Sequence, residues 1–135
     1  MHNGIDLAAP VGTKIYAPLT GTVRNVGNTD LVRGCYSWGK WVLIDHPNGL
    51  STLFAHLSHI GVTPGQKLST GDVVGFTGNT GFSTGPHLHY TLYVSEAVQV
   101  RQFNQFKAAT SCGAALSPFA AVEGYLDPLD YLPAP

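Results

Sequence analysis

His87-Leu88-His89-Tyr90-Thr91-Leu92-Tyr93-Val94 reads as a β-strand of eight residues. A period of two places His87, His89, Thr91 and Tyr93 on one face and Leu88, Tyr90, Leu92 and Val94 on the other. Gly78 to Pro86, just before it, is a glycine-rich loop that follows the strand Val73 to Thr77. Further upstream, Lys40 to Asp45 and Ser51 to His56 are strands joined by His46-Pro47-Asn48-Gly49, and Asn-Gly is a strong hairpin signal. Lys14 to Ala17 and Gly21 to Val26 are short strands, and Asn28 to Gly39 is a polar loop that includes Cys35. Downstream, Glu96 to Ala109 is the only candidate helix, with Ala97, Val100, Phe103 and Phe106 in loose helical spacing. Ser111 to Glu123 reads as an irregular loop with one helical turn, and Asp127 to Leu132 as a closing turn packed on the sheet.

A chain of 135 residues is one domain, large enough to bury roughly two thirds of its unfolded surface. Net charge is −1 and charged residues make up 11% of the chain. The absence of any basic stripe excludes nucleic acid as a partner. The apolar runs are too short for a transmembrane segment, which predicts a soluble domain. Sixteen glycines and nine prolines punctuate many short segments and predict a β-rich fold with tight turns. Cys35 and Cys112 form no C-x-x-C motif, which disfavours a zinc knuckle or a thioredoxin-like redox site. They are either unpaired and buried or joined in a disulfide, which an oxidising compartment would permit. No signal peptide is visible, and the chain starts almost on its first histidine signature, so an excised domain is expected.

That signature, His2-Asn3-Gly4-Ile5-Asp6, joins His87 and His89 in offering three imidazoles and a carboxylate. A catalytic zinc takes three protein ligands and keeps a fourth position open for water, so four groups compete for three places. The spacing leaves open which one is left out. His2 and Asp6 are four apart, which suits a helix, but Gly4, β-branched Ile5 and Pro10 argue against one. A loop or bent strand must then bring the two together. His56, in Leu53-Phe54-Ala55-His56-Leu57, is placed to serve as a proton shuttle. His46 and His59 read as surface or satisfied core residues. An H-x-H pair alone is common by chance. Its co-occurrence with H-x-x-x-D, where imidazoles and carboxylates are scarce, points to a metal.

These residues resemble the lysostaphin-type (LytM-like) zinc metallopeptidases, the murein DD-endopeptidases or glycyl-glycine endopeptidases. The resemblance covers nearly the whole chain, from His2-Asn3-Gly4-Ile5-Asp6-Leu7-Ala8-Ala9-Pro10 through Val42-Leu43-Ile44-Asp45-His46-Pro47-Asn48-Gly49 and Thr52-Leu53-Phe54-Ala55-His56-Leu57-Ser58. It continues to Gly78-Asn79-Thr80-Gly81, Gly85-Pro86-His87-Leu88-His89 and Asp127-Pro128-Leu129-Asp130-Tyr131-Leu132. It implies an all-β fold: mainly antiparallel sheet, a small second sheet, and long loops walling a groove, with at most one short helix in residues 96–123. Residues 1–135 would be a single peptidase domain, truncated at its N-terminus. It implies one Zn2+ per chain held by His2, Asp6 and His89, with His56 and His87 as catalytic residues that orient water, move protons and stabilise the oxyanion. The reaction implied is hydrolysis of peptide bonds in peptidoglycan stem peptides or cross-bridges. A monomer in the bacterial cell envelope, periplasmic or extracellular and part of a longer parent protein, is expected.

Three departures from the family pattern carry expectations of their own. Only Met1 precedes the first histidine, where the family usually has a strand and a groove wall. Phe82 stands where relatives commonly have arginine or another polar residue, which would alter loop packing or substrate contacts. The stretch at about 95–126 is longer than the usual hairpin and is expected to form an extra groove wall, with Cys112 placed to reach Cys35.

Two other readings compete. A non-catalytic relative would bind peptidoglycan or activate an amidase, but such relatives typically lose zinc ligands or catalytic histidines, and all five positions are present here. A biotinyl or lipoyl carrier, suggested by the glycines of Gly65 to Gly75, fails because no lysine sits at a hairpin tip with a flanking methionine.

Overall fold

The computed structural model describes residues 5–31, 35, 37–81, 85–102, 116–120 and 125–126. Among the described residues, eleven strands follow one another along the chain. They are β1 (Ile5–Ala8), β2 (Lys14–Tyr16), β3 (Gly21–Asn28), β4 (Lys40–Asp45), β5 (Leu50–Ile60), β6 (Lys67–Leu68), β7 (Val73–Thr77), β8 (His87–Val94), β9 (Val98–Gln102), β10 (Leu116–Ala120) and β11 (Tyr125–Leu126). Nine of them form one sheet in the order β1-β8-β5-β4-β3-β6, with β11 joining β8 and β7 bridging β5 to β2. β9 and β10 make a separate two-stranded sheet. The pairings are antiparallel. The expected class, mainly antiparallel sheet with a small second sheet, is the one observed.

Both faces of the central strands are buried, which explains why Trp41-Val42-Leu43-Ile44 is a continuous apolar run rather than an alternating one. Val42, Ile44, Phe54, Leu57, Leu88 and Tyr90 point into one core. Trp41, Leu43, Leu53, Ala55, Tyr93 and Val98 form the other. The fully buried Trp41 lies against Gly27, its cross-strand partner, where a Cβ would stand 2.5 Å from the indole ring. Only glycine leaves the indole room to lie flat on β3. The His46–Gly49 turn forms as expected: His46 N–H donates to the Leu50 carbonyl at 2.8 Å, and Gly49 takes the left-handed position at φ 81°.

The sequence expectation for Glu96 to Ala109 is overturned over its described part. Ser95–Ala97 is a single 3-10 turn, and Val98–Gln102 is a strand; residues 103–109 lie outside the described ones. The period that matters is two. Val98 and Val100 both pack on the Trp41 core, and β-branched side chains suit that pleated surface better than a helix. The irregular loop expected at 111–123 likewise contains β10. Its Pro118 opposite Val100 is tolerated because β10 has only one neighbour in its sheet.

A polar network roots this small sheet. Arg24 is the extra residue at a bulge of β3, where the register shifts between Val23 and Asn25, and bulges of this kind re-aim side chains. Its Nε donates to both Asp45 carboxylate oxygens at 3.0 and 2.9 Å. Its Nη1 and Nη2 donate to the Val98 and Ser95 carbonyls at 2.6 and 2.8 Å. The two Nη donors thus tie the turn and the start of β9 to the main sheet. Cys35 is buried and disulfide-bonded. The chain's other cysteine, Cys112, lies outside the described residues, as do Phe82 and the closing turn expected at Asp127 to Leu132.

Candidate functional site

β1 lies alongside the first half of β8 with Asp6 opposite His89 and Ala8 opposite His87. Directly opposed residues of an antiparallel pair share a face. Asp6 Oδ1 accordingly sits 2.8 Å from His89 Nδ1 and 3.5 Å from His87 Nε2. Asp6 stands on β1; the loop or bent strand expected to bring His2 to it lies outside the described residues. On the far side of β8, Ala55 opposes His89, and its small side chain leaves the imidazole room.

His56 reaches the same face by a backbone irregularity. Phe54 and Leu57 both point into the opposite core, three residues apart, so one residue between them breaks the alternation. The break is His56 itself, at φ 61°, the one described non-glycine residue in left-handed conformation. Such a position favours glycine, and a larger residue there is held by its surroundings. The His56 N–H donates to the Trp38 carbonyl at 2.8 Å. Its ring lies 4.8 Å from that of His87 and 6.1 Å from that of His89, centroid to centroid.

Carbonyl oxygens only accept hydrogen bonds, so they fix the tautomers. His56 Nδ1 donates to the Thr80 carbonyl at 2.6 Å, and His87 Nδ1 donates to the Gly85 carbonyl at 2.8 Å. In the neutral form of either ring, Nε2 is then the basic nitrogen. Burial is the largest cause holding His56 below the ordinary histidine range. The Thr80 hydrogen bond works against it, and the charges of His87 and His89 add to it. His56 is therefore neutral at neutral pH and able to accept a proton. His89 differs: its Nε2 meets Thr91 Oγ1 at 2.7 Å, which turns Nδ1 toward Asp6.

That pair has the chemistry of a zinc site. Imidazole nitrogen and carboxylate oxygen are both zinc donors, and a ligand histidine whose second nitrogen bonds a neighbouring group is the usual supporting arrangement. Among the described residues no three such side chains complete a ligand set. His2, the third ligand expected, lies outside them.

Residues 1–102 match peptidase family M23. The chain belongs to that family. This M23 chain is 45% identical over 93 residues to the peptidoglycan DD-endopeptidase ShyA of Vibrio cholerae, which covers 69% of the chain and 20% of that protein. It is 35% identical to the crystal structure of a zinc containing peptidase from Vibrio cholerae, with a TM-score of 0.62 over 70% of this chain and 27% of that one. The catalytic domain of lysostaphin from Staphylococcus simulans shares the fold, with a TM-score of 0.68 at 23% identity over 97% of this chain and 78% of that domain. The M23 chain spans about a fifth of the length of the curated relatives it matches. β9 is the last strand inside the family match, and β10 lies beyond it.

The other two histidines of the M23 chain stand apart. His46 is buried, with Nδ1 donating to the Thr20 carbonyl at 2.8 Å and Nε2 2.9 Å from Thr52 Oγ1. His59 is exposed beside the Phe76 ring. Sequence reasoning missed Trp38, Thr80 and Thr91. Thr91 was within reach, because the alternation of β8 puts it on the face of His89. Thr80 and Trp38 sit in loops, and nothing in their spacing ties them to His56.

Proposed function

We propose that this chain is a zinc-dependent endopeptidase that hydrolyses peptide bonds of bacterial peptidoglycan, with residues 1–135 as one peptidase domain. The observation that carries the reading is the meeting of an imidazole–carboxylate pair, His89 Nδ1 with Asp6 Oδ1 at 2.8 Å, with two further imidazoles anchored through Nδ1. Asp6 and His89 would hold one Zn2+ together with His2. Bound zinc supplies a Lewis acid that polarises the scissile carbonyl and acidifies water. His56, neutral and basic at Nε2, takes the proton of the attacking water. In its protonated form His87, on the same face, donates Nε2–H to the developing oxyanion and keeps that proton, while His56 passes the water's proton on to the leaving amine. The carbonyls of Thr80 and Gly85 keep both rings aimed through this exchange.

The substrate class follows from the relatives, among them peptidoglycan DD-endopeptidases. That class supports a reading of the protein as a monomer acting in the cell envelope. No helix among the described residues is long and apolar enough to cross a membrane. Digestion of purified sacculi tests the proposal. Release of muropeptide fragments is expected, with loss on chelation and recovery on adding zinc. Hydrolysis that survives complete metal removal sinks it.

A further inference from the structure

Trp38 touches the site twice. Its indole lies 4.6 Å from the His89 ring, tilted by 32°, and meets the His56 ring edge-on at 5.9 Å. Its peptide carbonyl accepts the His56 N–H at the residue whose left-handed backbone breaks the β5 alternation. The side chain is half-buried and packs at the edge of the Trp41 core.

The loop bearing Trp38 is itself clamped. Gly39 follows at φ 63°, and a Cβ there would stand 2.3 Å from Thr80 Oγ1. Lys40 N–H donates to the same hydroxyl at 3.1 Å, and that hydroxyl donates to the Leu57 carbonyl at 2.8 Å. Trp38, Thr80 and His56 are therefore fastened to one another through backbone on both sides.

An imidazole rotates over a broad range about its Cβ–Cγ bond. Hydrogen bonds to Asp6 and Thr91 restrain the two nitrogen edges of the His89 ring, but neither packs against its face. The indole supplies that missing restraint. We propose that Trp38 is a positioning residue of the metal centre, bracing the His89 imidazole with its ring and holding the His56 backbone with its carbonyl. The inference rests on the zinc-peptidase reading above. It assigns Trp38 no contact with the reacting atoms.

The test compares the parent with Trp38→Leu and Trp38→Phe, measuring zinc affinity by competition with a chromophoric chelator and kcat and KM separately. Supporting groups around a metal are worth about 10- to 100-fold in affinity or activity. Trp38→Leu is expected to weaken zinc by roughly that factor and to lower kcat with little change in KM, while Trp38→Phe keeps a ring and rescues most of both. Parental zinc affinity in Trp38→Leu overturns the proposal. So does a raised KM at unchanged kcat, which makes Trp38 a substrate contact. Fluorine NMR of the 5-fluorotryptophan-labelled parent needs no substitution: the Trp38 resonance shifts on zinc titration, with buried Trp41 as internal control, and an unmoved Trp38 signal overturns the proposal. A parent that binds no zinc sinks this inference together with the peptidase reading. A parent that binds zinc no more tightly than Trp38→Leu sinks this inference alone.

Discussion

The two faces of the main sheet invert the usual expectation about where a protein does its work. One face carries a cavity of about 340 Å³, lined among others by Leu7, Ile15, Tyr16, Phe54, Leu88 and Tyr90. None of the described histidines lines it. The other face holds Asp6, His56, His87 and His89, with each described imidazole nitrogen bond directed to a named carbonyl, hydroxyl or carboxylate. An apolar hollow is the default candidate for ligand binding. Here the lining is mostly apolar, whereas the histidine face gathers the polar groups. Residues alternating along β8 divide between the two sides: Leu88 and Tyr90 line the hollow, and His87 and His89 stand with Asp6 and His56.

The largest expected effect separates the faces by activity. His56→Ala and His87→Ala should each lower kcat about 10²- to 10⁴-fold while zinc content, read by elemental analysis, stays stoichiometric. Tyr16→Ala, on the cavity rim, should change turnover less than about twofold, as surface substitutions away from special features usually do. Loss of zinc from the first two, or of turnover from the third, breaks the division.

The next effect concerns what each face rests on. Trp41→Ala empties the floor beneath the histidine face and should cost about 3–5 kcal/mol in urea unfolding. A loss below about 1 kcal/mol would mean that β9 and Trp38 close over the space.

The smallest effect belongs to the cavity face. Burial pushes the Tyr90 hydroxyl up to about 12, above the value of about 10 in an unfolded chain. Its contribution of about 2–3 kcal/mol is therefore present in full below pH 10 and is lost as pH rises through 12. Stability measured across that window should fall less in Tyr90→Phe than in the parent, and equal slopes would show that the phenol is not the cause.

How much of this was legible in the sequence depends on whether a signal was local. The alternation in His87 to Val94 and the Asn48-Gly49 turn report their own conformations, and both formed as read. The pairing of Asp6 with His89 needed only the β1–β8 register once both signatures were seen. The helix expected from Glu96 failed because Ala97 and Val100 fit a helical spacing by coincidence, whereas Val98 and Val100 answer to Trp41, Leu43 and Leu53, distant in sequence. His56 was visible as a residue but not as a geometry. Its position on the reactive face depends on a bulge whose restraints come from Trp38 and Thr80, which no pattern in β5 encodes.

The left-handed backbone at His56 sets fold and chemistry at odds within one residue. Glycine would relieve about 1–2 kcal/mol of backbone strain there, and imidazole is kept in spite of that. On the zinc-peptidase reading, that strain is what keeps a base on the reactive face. A His56→Gly chain would relax its backbone but give up the Thr80 hydrogen bond and the ring packing against Trp38 and His87. It would keep Asp6 and His89 paired with no base beside them, so the strained position and the site's chemistry stand or fall together.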